Sequence, residues 1–183
     1  RTYWAHTHPN PARWQPLREH LHQVAERAAA KARPFGEEEN ARLAGRLHDL
    51  GKYGDLFQRR LEGREKGLDH WSAGAHLALF EYRQPAVALA VQGHHIGLQS
   101  GARESLMEMK LREDGKGVPP ELRLSETDLE VLKARLQKDG LELPPPSQTR
   151  ISPPAGAAAM LDTRMLFSAL VDADFLDTEA HIK

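Results

Sequence analysis

The stretch Leu47-His48-Asp49-Leu50-Gly51-Lys52 decides how this chain is read. A histidine and an aspartate stand side by side at the expected end of a helix. Gly51, one residue further on, suits the helix C-cap, and Lys52 follows. An imidazole nitrogen and a carboxylate oxygen on adjacent residues suit a divalent cation of intermediate hardness, such as manganese, iron, cobalt, nickel or zinc. Alone the pair decides little, because composition produces one His-Asp dipeptide about half the time in a chain like this. Its company gives it weight: His20 before it, His70 and His94-His95 after it, and Asp174 near the end.

Outward from that stretch the chain reads as helices. Glu37 to Asp49 is amphipathic, with Leu43, Ala44, Leu47 and His48 on the core face. Before it, Leu17 to Arg33 carries the stripe Leu17, Leu21, Val24, Ala25 and Ala28, ended by Pro34. His20 lies on that stripe while His22 points away. A buried imidazole needs a partner, which is either a core carbonyl or a ligand role shared with the other histidines. The first residues, with Pro9, Pro11 and Pro16, read as an irregular arm.

After the central stretch, Tyr53 to Leu61 predicts a short helix with Leu56, Phe57 and Leu61 inward, and Arg59, Arg60 and Arg64 in or beside it. Gly63 to Asp69 is a loop. His70 opens a helix running to about Tyr82, in which His76 reads as structural. Pro85 opens another through Val87, Val91 and His95, stopped by Gly97. Adjacent histidines diverge by about 100° on a helix, so His94 and His95 can share a site only near its frayed end. A short helix is expected around Ser105 to Arg112. Ser125-Glu126-Thr127-Asp128 looks like a helix start, continued by Leu129, Leu132 and Leu136. Leu141 to Pro154, with three consecutive prolines, wraps the surface. The last helix runs from about Ala155 to Thr178, with Met160, Leu161, Leu166, Leu170 and Phe175 expected inside. Asp172 and Asp174, two apart, project to opposite sides. Asp174, one turn after Leu170, is the ligand candidate. No alternating strand pattern of useful length occurs, so the fold class is all-α.

The 183 residues are expected to form one domain with a substantial core. A net charge of -1 gives no global basic field, so nucleic-acid binding needs a local patch. Cysteine is absent, which removes disulfides and thiolate metal sites and leaves His, Asp and Glu as the only strong ligands. The longest apolar runs, such as Ala86 to Val91, are too short to span a bilayer, and Arg1-Thr2-Tyr3-Trp4 lacks the apolar core of a signal peptide. A cytoplasmic location without membrane contact is the default expectation. Because it begins without Met, the chain is expected to be an excerpt from something longer.

The arrangement resembles the HD superfamily of metal-dependent phosphohydrolases. Arg18-Glu19-His20-Leu21, His48-Asp49-Leu50-Gly51-Lys52 with Phe57-Gln58, Asp69-His70, His94-His95 and Leu170-Val171-Asp172-Ala173-Asp174 together resemble one branch of it. That branch is the HD nuclease domain of the CRISPR-associated helicase-nuclease of type I interference. The likeness covers nearly the whole chain, in order. It implies a compact HD-domain helical bundle in which His20, His48, Asp49 and Asp174 hold one metal. His70, His94 and His95 would hold a second, with Asp49 bridging. Some members place a histidine where Trp4-Ala5-His6-Thr7 stands, so His6 competes with or joins His20. The resemblance also implies cleavage of single-stranded DNA with manganese, nickel, cobalt or iron, with magnesium as an alternative. Its implied partners are a helicase domain in the same longer chain and a CRISPR RNA-guided surveillance complex.

The expected chemistry follows from that ligand set. Metals so held supply hydroxide near neutral pH and neutralise phosphate charge. Lys52 adds a positive charge on the phosphate, unless it is merely a solvated lysine after a helix cap. Arg59, Arg60, Arg64, Lys110 and Arg112 are the candidate local contacts for a strand, unless they form only a solvated basic face. There is no nucleophile triad and no Gly-rich phosphate loop. Three readings result: a DNA nuclease, an HD phosphohydrolase acting on free nucleotides, and a metal-free HD module that only binds a partner. The complete ligand set argues against the third. The Phe57-Gln58 and Ser168-to-Asp174 segments favour the first over the second.

Overall fold

The computed structural model describes residues 1–109, 111 and 122–183. Lys110 and Arg112, named above as strand contacts, lie outside the described residues. The fold is an all-α bundle, as its helical periodicity predicts: α1 (Leu17–Ala32), α2 (Glu38–Leu47), α3 (Asp55–Leu61), α4 (Ser72–Phe80), α5 (Pro85–Ile96), α6 (Arg103–Met107), α7 (Leu129–Lys138) and α8 (Gly156–Ile182). Four short strands trim it. β1 (Trp4–His6) pairs antiparallel with β2 (Gln15–Pro16), so the N-terminal arm is pinned rather than irregular. β3 (Leu68–Asp69) pairs in parallel with β4 (Arg123–Leu124).

The core is built by α1, α2, α5 and α8. Leu17, Leu21, Val24, Ala25 and Ala28 recur every three or four residues and bury one face of α1, with His20 on the same face. α1 packs on α2 and α8, and α5 packs on α4 and α8. No helix is long and apolar enough to cross a membrane, among the described residues.

Two expectations are corrected. α2 stops at Leu47, and Leu50–Tyr53 follows as a tighter turn of helix, so Gly51 is not the cap of a helix reaching Asp49. Its requirement is proximity: the Gly51 N–H donates to the His70 carbonyl at 3.0 Å, and a Cβ there would sit 2.5 Å from that oxygen. The second correction concerns α8. Leu166 and Leu170 are buried and Met160 is half-buried, but Leu161 and Phe175 are exposed, Phe175 by 63%. Thr163, Leu166, Leu170, Ala173 and Asp177 form the buried stripe. At about 100° per residue, Leu161 and Phe175 fall on the opposite side of the helix. Smaller differences are boundaries: α3 begins at Asp55, α4 at Ser72 just after His70, and α8 continues to Ile182.

Candidate metal centre

Three helix ends and two helix faces, with His20 on α1 and Asp174 on α8, deliver the candidate ligands to one place. His48 and Asp49 follow α2, and His70 precedes α4. His94 and His95 close α5, while Asp174 projects from α8. Gly51 joins the first two by its contact with the His70 carbonyl. Gly74 allows α4 to approach the end of α2, where a Cβ would lie 1.9 Å from the Leu47 carbonyl oxygen.

Asp49 is the centre of the arrangement. Its Oδ2 lies 3.2 Å from His20 Nε2 and 3.3 Å from His48 Nε2. Its Oδ1 lies 3.3 Å from His70 Nε2, 3.6 Å from His94 Nε2 and 4.0 Å from His95 Nε2. Asp174 Oδ1 adds to the first set, 3.5 Å from His20 Nε2 and 3.6 Å from His48 Nε2. The adjacent histidines therefore do converge, because they stand at the helix end. Three overlapping groups have donor atoms all within 4.8 Å of one another: His20, His48 and Asp49; His48, His94 and Asp174; Asp49, His70 and His95.

Second partners aim several of the rings. The His48 Nδ1–H donates to the Gly45 carbonyl at 2.7 Å, and the His94 Nδ1–H donates to the Val91 carbonyl. A carbonyl only accepts, so each ring keeps its proton on Nδ1 and turns Nε2 inward. His20 Nδ1 donates to Asp177 Oδ2 at 2.8 Å, and Gln15 Nε2 donates to the same oxygen at 2.7 Å. Asp177 was not anticipated. Its signal was faint but present: it stands one turn beyond Asp174 and seven residues after Leu170, at the C-terminal end of the buried stripe of α8. Asp172 projects away and pairs with Lys31 at the surface.

Lys52 is buried, not solvated, and its Nζ lies 2.7 Å from Asp49 Oδ2. His6 stands beside the cluster on β1. Its ring packs edge-on against His20, with centroids 4.9 Å apart, and its Nε2 lies 3.5 Å from Thr178 Oγ1. It belongs to none of the three donor groups found among the described residues.

Charge is unevenly spread. Burial opposes ionisation of Asp49, but Lys52 and His48 outweigh it and hold the carboxyl well below the usual carboxylate range. Burial likewise opposes charging of His48, yet Asp49 and Asp174 push its pKa up to about 10. Burial wins at His70, lowered to about 3, and also lowers His94.

The residues fit a pair of divalent cations. Asp49 Oδ1, His70 Nε2 and His94 Nε2 are buried and have no hydrogen-bond partner. Each orphaned buried polar atom costs about 1–3 kcal/mol, and a cation between them would satisfy all three. The donors are imidazole nitrogens and carboxylate oxygens without thiolate, the set preferred by transition metals of intermediate hardness.

Of the basic residues named for a DNA strand, Arg59 pairs with Glu65 and Arg64 with Glu62. Among the described residues Arg60 has no carboxylate partner, and it lies over the Phe57 ring, 5.6 Å from its centroid. Phe57 in turn packs edge-on against His70 at 4.9 Å.

The model of the family described as HD domain matches residues 17–135, more than half of the chain. The matched segment includes His20 through His95 and stops before Asp174. No curated protein matches the sequence.

Proposed function

The chain belongs to the HD domain family, and on that premise we propose that it cuts single-stranded DNA as the metal-dependent nuclease of type I CRISPR interference. The observation that carries the metal-dependent part is the division of Asp49: one carboxylate oxygen faces His20 and His48, the other faces His70, His94 and His95. His20, His48, Asp49 and Asp174 would hold one cation, and Asp49, His70, His94 and His95 a second. Two such cations would lower the pKa of water and neutralise charge on the phosphodiester.

The chain's own residues supply the rest. Asp177 and the Gly45 and Val91 carbonyls orient His20, His48 and His94, so little reorganisation is left for the moment of binding. Lys52, buried with its Nζ 2.7 Å from Asp49 Oδ2, holds that carboxylate in place. The DNA assignment is supported by a row of aromatic and cationic groups beside His70 and His95. Trp71 lies against His95 with centroids 4.6 Å apart, and Phe57 carries Arg60 above it. Phe57 and Trp71 are themselves buried, so of this row it is the exposed Arg60 guanidinium that would meet a strand, at a phosphate. The likeness of Phe57-Gln58 and Leu170 to Asp174 to the CRISPR branch supports the polymer over a free nucleotide. Unwinding and recruitment would rest with the helicase and the RNA-guided complex as partners.

The test measures metal content and then cleavage in manganese, with a single strand, its annealed duplex and free deoxynucleotides as substrates. Cleavage of the single strand alone, lost on chelation, is expected. Turnover of deoxynucleotides with no polymer cleavage would transfer the assignment to a nucleotide phosphohydrolase.

A further inference from the structure

At the far end of the α4–α5 pair from the histidine cluster lies a cavity of about 360 Å³. Ten residues of α5 separate Pro85 from His95, about 15 Å along the helix axis. The cavity's charged lining is Arg83, Arg103 and Arg150, and among the described residues no carboxylate lines it. Its apolar wall includes Phe80, Met107 and Ile151. Elsewhere this chain pairs its arginines readily: Arg33 with Glu38, Arg42 with Glu26, Arg135 with Asp55. Three guanidiniums gathered without a counter-charge repel one another unless an anion joins them.

Arg83 adds a second observation. It adopts φ +58°, alone among the non-glycine described residues, in the turn that closes α4. There the Tyr82 N–H donates to the Leu77 carbonyl and the Gln84 N–H to the Ala78 carbonyl. Glycine is the usual residue at such a left-handed helix terminus, because a side chain is strained there. An arginine kept at this position implies a use for its side chain. Its Nε is buried and has no hydrogen-bond partner, so the structure itself leaves that use unmet.

We propose that this cavity binds a nucleoside phosphate. The phosphate would sit among Arg83, Arg103 and Arg150, whose planar forks match phosphate oxygens in pairs. The base would lie against the wall of Phe80, Met107 and Ile151. The volume falls within the range of about 300–1,000 Å³ usual for small-molecule sites. None of these residues belongs to the histidine cluster, so the proposal is independent of the nuclease reading.

The test is calorimetric titration of the chelated protein with dAMP, pyrophosphate and adenosine, beside the variants Arg83→Gly and Arg150→Ala. Chelation keeps phosphate from binding through metal at the cluster. Saturable dAMP binding is expected, with pyrophosphate and adenosine each weaker. Arg83→Gly should weaken dAMP at least tenfold without lowering the melting temperature, because glycine relieves the left-handed backbone. Arg150→Ala should weaken it several-fold. No dAMP binding, or binding indifferent to both substitutions, would overturn the site. A lowered melting temperature in Arg83→Gly would make the arginine structural, and pyrophosphate binding as tightly as dAMP would overturn the role of the apolar wall.

Discussion

The two halves of the histidine cluster share one carboxylate and differ in almost everything else. The half facing Asp49 Oδ2 is closed and held from behind. His20 is fixed by Asp177, His48 by the Gly45 carbonyl, and a second carboxylate, Asp174, stands across from them. The half facing Oδ1 is all imidazole apart from Asp49, and His95 is 36% exposed. His70 has neither ring nitrogen in a hydrogen bond. Pre-aimed ligands and two negative charges favour a tightly held cation in the first half. Neutral and partly exposed ligands favour a looser, exchangeable one in the second, on the side where Phe57, Arg60 and Trp71 stand. A hold braced from behind on one side and a more open, unbraced one on the other is the lesson of the contrast.

The largest effect expected is that of the shared group. Asp49→Ala should remove both metals and reduce cleavage by more than the roughly 10–100-fold that loss of a supporting residue costs. His95→Ala should instead lower the metal stoichiometry from two to one and leave the tighter site occupied. Metal content by atomic spectroscopy, with circular dichroism for the helices, decides it. Full loss of metal in His95→Ala would merge the halves into one unit.

Next comes the hold behind His20. Asp177→Asn keeps the shape but weakens the acceptor for His20 Nδ1, and should lower affinity of the first metal by about 10–100-fold. Asp172→Ala, on the opposite side of α8, should change nothing. The readout is metal titration rather than cleavage, because a residue acting through His20 must show itself there first. Equal effects of the two substitutions would mean that the buried face of α8 has been misassigned.

His48 and His70, one from each half, answer pH in opposite directions in the metal-free protein. His48 is raised to about 10 from an ordinary 6.5, so the folded state binds more protons between those values. Its stabilisation is present below pH 6.5 and is lost as pH rises toward 10. His70 is lowered to about 3, so the unfolded state binds more protons between 3 and 6.5. Its contribution is present above pH 6.5 and is lost as pH falls. His6, lowered to about 3 chiefly by burial, adds to the same acid limb. Thermal melts of the chelated protein should therefore peak near pH 6.5, and His70→Asn should make the acid limb shallower while leaving the alkaline limb in place. An unchanged acid limb would show that His70 is not buried neutral.

Much of this was legible in the residues, and the exceptions have physical causes. The bundle could be read because its helices keep apolar spacing, and His20 stood out as the one imidazole on the stripe of α1. His70, His94 and His95 were legible only in combination. What brings them together is backbone approach, Gly51 against the His70 carbonyl and Gly74 against Leu47, which leaves no periodic trace. Asp177 escaped because α8 carries apolar residues on all sides. Leu161 and Phe175 then looked as internal as Leu166 and Leu170, and a carboxylate in the stripe read as one more surface charge. Lys52 was named from the sequence but its burial was not foreseen, since a lysine after a helix end is ordinarily solvated and the carboxylate of Asp49 draws this one inside.

The smallest effect expected is the one that tests the open half as the substrate side. Arg59 and Arg64 are already engaged by Glu65 and Glu62, exposed pairs worth at most about 1 kcal/mol. Arg60 faces no carboxylate, and its guanidinium lies over Phe57, whose ring touches His70. A strand whose scissile phosphate lies at the cluster would place a neighbouring phosphate within reach of that guanidinium. Arg60→Ala should then weaken single-strand binding modestly and reduce the slope of log affinity against log salt by about 0.7, the value of one phosphate contact. Cleavage of a saturating strand should be nearly unchanged, since Arg60 touches no candidate ligand. Binding by fluorescence anisotropy at several salt concentrations gives the slope directly. If Arg60→Ala leaves the slope intact while Arg13→Ala, beside Gln15 and Asp177, lowers it, the strand approaches over the closed half and the functional division drawn between the two halves is wrong.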